Sequence, residues 1–178
     1  YYHSGPSEKQ TVILINKGLN LRQISKILNE GKVLSKSNLF SYILIFKNID
    51  KNLKAGEYSI PAKSSPRDIV NILIEGKTLM RSLTIVEGFT IFEVINKIKN
   101  NSSLSGEIFN IPKEGSVLPE TYYFSFGQPK QKILNIMLDS MTNVIDEAWS
   151  KRSKEIFIKN KMEAIILASI IEKETNLK

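Results

Sequence analysis

The sequence contains no cysteine and only one histidine. Without cysteine there can be no disulfides, thiolate metal sites or cysteine nucleophiles. The histidine, His3, lies in a polar N-terminal stretch, which disfavours catalytic triads with a histidine base and metal sites built on histidine. Any proton transfer is therefore expected to use a carboxyl group, a lysine or a tyrosine.

Long hydrophobic runs are also missing. The longest apolar stretch, Ala164 to Ile171, is interrupted by Ser169 and falls well short of the roughly 20 residues that a membrane-spanning helix needs. No span is expected within these residues. Because the sequence opens with Tyr1 and not with methionine, we expect a signal or anchor segment upstream of it.

The formal net charge is +7, with lysine and arginine scattered along the whole chain. Such a charge suits an anionic partner, for example nucleic acid, a phospholipid surface or an acidic polymer, but it also arises from lysines on solvated helix faces. No run of alternating basic and aromatic residues forms a stacking groove for bases. Nucleic acid is therefore not expected as a partner.

An internal repeat occupies the first half of the chain. Residues 21–34 and 66–79 share an arginine, two isoleucines, a leucine and a Glu-Gly-Lys sequence at matching positions. The apolar residues stand at i, i+3 and i+4, which is typical of one buried helix face. With Asn20 and Ser65 as N-caps and a glycine after each segment, the pattern predicts separate helices from Leu21 to Glu30 and from Pro66 to Glu75.

The repeated unit is a strand, a glycine turn and a capped helix. Thr11 to Ile15 forms the strand before the first helix, and a looser copy has a strand at Ser82 to Val86 and a helix capped by Thr90. A further helix from about Ser37 to Lys47 and a strand at Tyr58 to Ile60 would complete a β-α-α-β layout, which is that of a LysM-like module. The predicted fold class is α+β.

The second half is expected to be mainly helical. Residues 100–105 are polar and resemble a linker, residues 111–127 are loop-rich, and a helix from about Lys130 to Ser150 carries one apolar face. The closing helix, Lys161 to Lys173, is apolar nearly all round and is expected to be buried. The predicted domains are a flexible segment (1–10), a LysM-like and repeat-related module (11–100), and the first part of an α+β catalytic domain (101–178).

Four segments of the sequence carry a family resemblance. They are residues 54–58 (Lys-Ala-Gly-Glu-Tyr), 85–90 (Ile-Val-Glu-Gly-Phe-Thr), 114–122 (Glu-Gly-Ser-Val-Leu-Pro-Glu-Thr-Tyr) and 168–175 (Ala-Ser-Ile-Ile-Glu-Lys-Glu-Thr). Their order and spacing resemble those of the endolytic murein transglycosylases, and the last two segments are the most specific. The resemblance extends over essentially the whole chain.

The resemblance implies an enzyme of the bacterial inner membrane with a single N-terminal anchoring helix, a LysM-like domain and a catalytic domain on the periplasmic or extracytoplasmic side. Such enzymes cleave the β-1,4 bond between N-acetylmuramic acid and N-acetylglucosamine and leave a 1,6-anhydromuramoyl end. The expected partners are peptidoglycan glycan strands and cell-wall synthesis proteins, and no cofactor is expected. Because family members continue beyond the last motif, we expect residues 1–178 alone to be inactive.

The resemblance also marks Glu172 as the catalytic acid/base. A glycoside hydrolase usually needs two carboxyl groups, whereas a lytic transglycosylase can use one, because the muramoyl C6 hydroxyl supplies an intramolecular nucleophile. A general acid must carry a proton near neutral pH, and apolar surroundings favour that form. On helical spacing, Glu172 shares its face with Ile165, Ala168 and Ser169, and the two small residues could leave space for a sugar ring.

The other candidate site residues are expected to bind substrate, and they are Glu120, Thr121, Tyr122, Tyr123, Ser169 and Glu174. The tyrosines either stack on sugar rings or pack in the core, and Glu174 is either a ligand-binding or a structural carboxylate. Ser169 and Lys173 have the spacing of a Ser-Lys nucleophile. The main alternative function is a non-catalytic peptidoglycan-binding or scaffold module, in which the repeats either bind glycan or merely pack together.

Overall fold

The computed structural model of the protein describes residues 5–35, 40, 52–153 and 155–175. Helices are interspersed with short two-stranded sheets over these ranges, which is an α+β fold as predicted. The chain divides into two compact units, Tyr1–Met80 and Arg81–Lys178.

The two strands of the first unit pair with each other, and a helix lies between them in the sequence. Strand β1 (Thr11–Ile15) is antiparallel to strand β2 (Gly56–Ile60), with Ile13 opposite Tyr58. Helix α1 (Leu21–Glu30) follows β1, and helix α2 (Pro66–Glu75) follows β2. Alternate strand residues and one face of each helix meet in a single apolar core.

Both repeat helices have the predicted bounds. Asn20 accepts a hydrogen bond from the Gln23 N–H and Ser65 accepts one from the Asp68 N–H, and in each case the N3 side chain bonds back to the cap. The leucine and first isoleucine of each stripe are buried, while the middle isoleucine is partly buried. Hydrogen bonds from the Ser65 hydroxyl and then from the Ser65 N–H are the main causes of the lowered pKa of the Asp68 carboxyl group.

The predicted helix from Ser37 to Lys47 lies outside the described residues except for Phe40, which is buried in the core of the first unit. Near the N-terminus, the Gly5 N–H donates to the Lys63 carbonyl and the Lys63 N–H donates to the Ser7 carbonyl. The flexible segment at residues 1–10 and the domain division at residue 100 stay predictions.

Strand β3 (Met80–Thr84) begins at the last residue of the first unit, and its other residues belong to the second. The second unit also contains strands β4 (Leu104–Ser105), β5 (Thr121–Ser125) and β6 (Gln128–Pro129). Its helices are α3 (Ile91–Lys99), α4 (Lys130–Lys151) and α5 (Lys161–Thr175). Strand β3 pairs with β5, and β4 pairs in parallel with β6. The second apolar core lies among β3, α3, β5 and the first half of α4.

The prediction of a linker at residues 100–105 is wrong. Leu104 and Ser105 form β4, and both Ser103 and Leu104 are buried. The Gly127 N–H donates to the Ser103 carbonyl, and the Ser105 hydroxyl donates to the Gly127 carbonyl. These tertiary hydrogen bonds hold a polar segment that has no apolar periodicity of its own. The stretch expected to be loop-rich likewise contains β5, in which burial alternates along the strand.

The prediction that the closing helix is buried is also wrong. None of the residues of α5 is buried, and the large apolar side chains at positions 162, 166, 167, 170 and 171 are exposed. Helix α4 packs on α5, and Lys161 Nζ lies 2.6 Å from Asp146 Oδ1. One neighbouring helix cannot cover an apolar surface that runs round the whole circumference.

The apolar face predicted for α4 is buried only near its start. Ile133 and Met137 belong to the core, whereas Ile136 and Val144 are exposed. Within the described ranges, no helix combines the length and the apolar character that crossing a membrane requires.

Replacing Ser65 with alanine should lower the stability of the first unit. The substitution removes the side-chain acceptor of the Asp68 N–H, and loss of such a cap costs about 1 kcal/mol. Urea unfolding should show the loss, and Asn71→Ala at an exposed position of the same helix serves as control. Equal stability of the two variants would contradict the capping account.

Candidate active site

A pocket of about 580 Å³ lies within the second unit. Its walls come from the turn between β3 and α3, the first turns of α3, the loop at residues 114–119, and the facing sides of α4 and α5. Most lining residues are apolar, and the carboxyl groups in the lining belong to Glu114 and Glu172. The pocket can therefore shield a bound molecule from water while presenting few, specific polar groups to it.

Glu172 has an unusual environment in this wall. Its Oε1 atom is shielded from solvent and has no hydrogen-bond partner among the described residues. A Cβ atom added at Gly88 would lie 3.7 Å from this oxygen, so the turn approaches the carboxyl group closely. A shielded carboxyl oxygen without a partner is costly in a folded protein, and a ligand that hydrogen-bonds to it would relieve that cost.

The turn beside Glu172 is shaped by Gly88 and by the cap of α3. Gly88 has φ +79°, a conformation that glycine adopts without a Cβ penalty. Thr90 accepts a hydrogen bond from the Glu93 N–H, and the Glu93 carboxylate accepts from the Thr90 N–H and hydroxyl. These bonds from Thr90 lower the pKa of Glu93, with a smaller contribution from the positive charge of Lys173.

Glu114 is a pocket residue that we did not single out from the sequence. Its two carboxyl oxygens lie 3.1 and 2.9 Å from the backbone nitrogen of Ile91, the first residue of α3. A carboxylate at a helix N-terminus satisfies a free N–H and interacts favourably with the helix dipole. Its position at the start of the 114–122 motif could have marked Glu114 as a candidate. The sequence does not show that its partner is Ile91, which lies 23 residues away.

The face of α5 that the helical spacing assigns to Glu172 lines the pocket. Ile165, Ala168 and Ser169 stand in the same wall as Glu172. The Ser169 hydroxyl donates to the Ile166 carbonyl at 2.8 Å, which is a bond within the helix and does not involve Lys173. Glu174 is exposed and lies outside the lining.

Residues 120–123 do not line the pocket, although Leu118 and Pro119 just before them do. Tyr122 is buried, and its hydroxyl donates to the Leu118 carbonyl at 2.7 Å, so it supports the wall from the core side. Burial raises the pKa of the Tyr122 phenol. Tyr123 points away from the core with 65% of its surface exposed.

Glu120 and Thr121, the other two residues of the 120–123 group, make polar contacts with residues 85 and 84. The Ile85 N–H donates to the Glu120 carbonyl at 2.9 Å, and the hydroxyls of Thr84 and Thr121 lie 2.8 Å apart. The structure thus brings Ser169 together with Glu172 but keeps the 120–123 group apart from them. No cluster of metal-ligating side chains is found in the portion of the chain that the structure describes.

Gly115→Ala should destabilise the second unit more than Gly106→Ala. Both glycines have positive φ, but an added Cβ at 115 would lie 2.8 Å from Ile165 Cγ2, whereas nothing lies within 4 Å at 106. Backbone strain of about 1 kcal/mol is expected in both variants. The contact with a stiff, β-branched side chain should add about 1 kcal/mol at 115. Equal losses in urea unfolding would show that the loop does not press on α5.

The protein resembles known proteins in sequence and in structure. A crystal structure of a protein described as yceG-like, from Listeria monocytogenes, has 22% sequence identity and a TM-score of 0.46, and the match covers 81% of this chain and 57% of that one. The chain thus spans little more than half the length of that protein. A search of curated proteins gave no match. The sequence matches the YceG-like family over residues 13–178. This chain therefore belongs to the YceG-like family.

Proposed function

We propose that this chain is part of an endolytic peptidoglycan lytic transglycosylase, with Glu172 as its general acid and base. The proposal rests on one observation above all: the Glu172 carboxyl lines a largely apolar pocket, and its Oε1 atom is shielded from water with no partner in the described residues. Family membership supports the same assignment, because the match to the YceG-like family extends over residues 13–178 and includes the motif that contains Glu172.

In the proposed reaction, protonated Glu172 gives its proton to the glycosidic oxygen between N-acetylmuramic acid and N-acetylglucosamine. The bond from this oxygen to the muramoyl C1 breaks, and the N-acetylglucosamine residue leaves with a free C4 hydroxyl. The muramoyl C6 oxygen bonds to C1, and its proton passes to the Glu172 carboxylate. The acid is thereby restored, and the new end is a 1,6-anhydromuramoyl sugar.

The pocket suits an intramolecular nucleophile. Its walls include Val94, Met141, Val144 and Ile145, which would displace water from around the reacting sugar. The small side chains of Ala168 and Ser169 leave room beside the carboxyl group. With water displaced, the C6 hydroxyl is the nucleophile held nearest to C1.

Substrate contacts beyond the pocket are proposed for the remaining predicted residues. Thr121 and Tyr123 lie on the same side of β5, and the exposed Glu120 directly precedes the strand; an aromatic face and polar tips there could bind further sugars of the glycan. Buried Tyr122 would act by supporting Leu118. Ser169 would contact the sugar in the pocket, and we assign the exposed Glu174 a peripheral role.

We further propose that the first unit is a LysM-like glycan-binding module. Support comes from its antiparallel β1–β2 pair, from α1 between these strands and from the buried Phe40 of the segment where a second helix is predicted. Glycan strands and cell-wall synthesis proteins are the proposed partners. The proposed location is the extracytoplasmic face of the bacterial inner membrane, with an N-terminal anchor.

Glu172→Gln in the whole protein should abolish most glycan cleavage while leaving folding and glycan binding intact. Loss of a general acid and base typically costs at least about 100-fold in rate. Glu174→Gln makes the same change two residues away, at an exposed position outside the pocket, and should cost much less turnover. Both variants should be compared by mass spectrometry of anhydromuramoyl ends and by melting temperature.

Near-normal cleavage by Glu172→Gln would remove this residue from the mechanism. If the unmodified whole protein binds glycan strands but yields no anhydromuramoyl ends, the non-catalytic binding module is the correct function. A melting temperature for Glu172→Gln equal to or above that of the unmodified protein is expected, because a neutral amide costs less to shield from water than an ionisable carboxyl group.

A further inference from the structure

We infer that Glu114 is a positioning residue for the proposed reaction, acting through the loop that it fixes. The inference rests on the proposed function and extends it to a residue outside the predicted site. Two contacts carry it: the Glu114 carboxylate on the Ile91 N–H, and the close approach of Gly115 to Ile165. Together the two contacts form a loop clamp, which holds residues 114 and 115 against α3 and α5.

The first contact fixes the loop to α3. Both Glu114 oxygens lie within hydrogen-bonding distance of the Ile91 nitrogen, the first N–H of the helix. No carbonyl within the helix can accept from this N–H. The Thr90–Glu93 capping box satisfies the N–H groups of Glu93 and Thr90 instead. Glu114 thus supplies from outside the helix an acceptor that the local sequence does not provide.

The second contact fixes the loop to α5. Gly115 has φ +72°, and a Cβ atom there would lie 2.8 Å from Ile165 Cγ2, so only glycine allows the loop backbone to come this close. Ile165 stands two helical turns before Glu172, on the same face. A loop pressed against Ile165 therefore sets how deeply this face, and with it Glu172, enters the pocket.

The clamp also connects the two elements next to the Glu172 carboxyl group, which are the Gly88 turn and helix α5. The Gly88 turn next to Oε1 leads directly into α3, whose first N–H is held by Glu114. The same loop contacts the helix that carries Glu172 itself. Release of Glu114 would therefore alter the separation between the carboxyl group and the turn that shields it.

The geometry does not favour Glu114 as a second catalytic carboxyl group. Both of its oxygens lie within hydrogen-bonding distance of the Ile91 N–H at the start of α3, so the carboxyl group is already occupied as an acceptor. A positioning role requires an acceptor atom, not a proton-transferring group. Replacement by glutamine separates the two roles, because glutamine keeps an acceptor oxygen and loses the acid.

The test compares Glu114→Ala, Glu114→Gln and the unmodified whole protein, with Glu107→Ala as control for loss of an exposed carboxylate outside the pocket. Glu114→Ala should lower kcat for anhydromuramoyl end formation by roughly 10- to 100-fold, the range expected for a misplaced catalytic group, with a much smaller change in KM. Glu114→Gln should retain most of kcat, and Glu107→Ala should match the unmodified protein.

Hydrogen exchange at the Ile91 amide provides a readout that does not depend on cleavage. Exchange should accelerate in Glu114→Ala and stay slow in Glu114→Gln. Unchanged exchange in Glu114→Ala, normal kcat in that variant, or equal loss of kcat in the alanine and glutamine variants would each overturn the positioning role. Failure of the unmodified protein to form anhydromuramoyl ends would instead overturn the proposed function, and the inference with it.

Discussion

The first backbone N–H groups of α3 have no partners within the helix, and the way in which they are satisfied determines the shape of the pocket. Thr90 and Glu93 cap one another locally, while Glu114 reaches the Ile91 N–H from a loop 23 residues away. The helix start thereby becomes the point where the Gly88 turn and the 114–119 loop are joined. Both segments face α5, and Glu172 lies where they meet it.

The proton-transfer groups that the composition allows include the carboxyl groups that line the pocket. A sequence without cysteine and with one histidine near its N-terminus leaves carboxyl groups, lysines and tyrosines for proton transfer, and the pocket contains two carboxyl groups. The two carboxyl groups that line the pocket have different surroundings: Glu114 is occupied by a backbone N–H, and Oε1 of Glu172 has no partner among the residues described. A reaction that needs one free carboxyl group fits this pair better than one that needs two.

Local patterns in the sequence predicted local structure well. Apolar spacing and caps placed α1 and α2 at their observed bounds, and helical spacing put Ile165 and Ala168 on the same face as Glu172. The failures all concern contacts between distant segments. Residues 100–105 are held by hydrogen bonds to Gly127, Glu114 bonds to Ile91, and the exposure of α5 depends on which elements pack on it. None of these contacts leaves a periodic signal in the sequence.

Cleavage of purified glycan strands by the whole protein in ¹⁸O-labelled water tests the central claim most directly. If one carboxyl group works with the muramoyl C6 hydroxyl, no water enters the product, and the new ends should be 1,6-anhydromuramoyl sugars without ¹⁸O. Mass spectrometry of the released fragments distinguishes the outcomes. New reducing ends that carry one ¹⁸O atom would contradict the account, because they would require a water nucleophile and a second group to activate it.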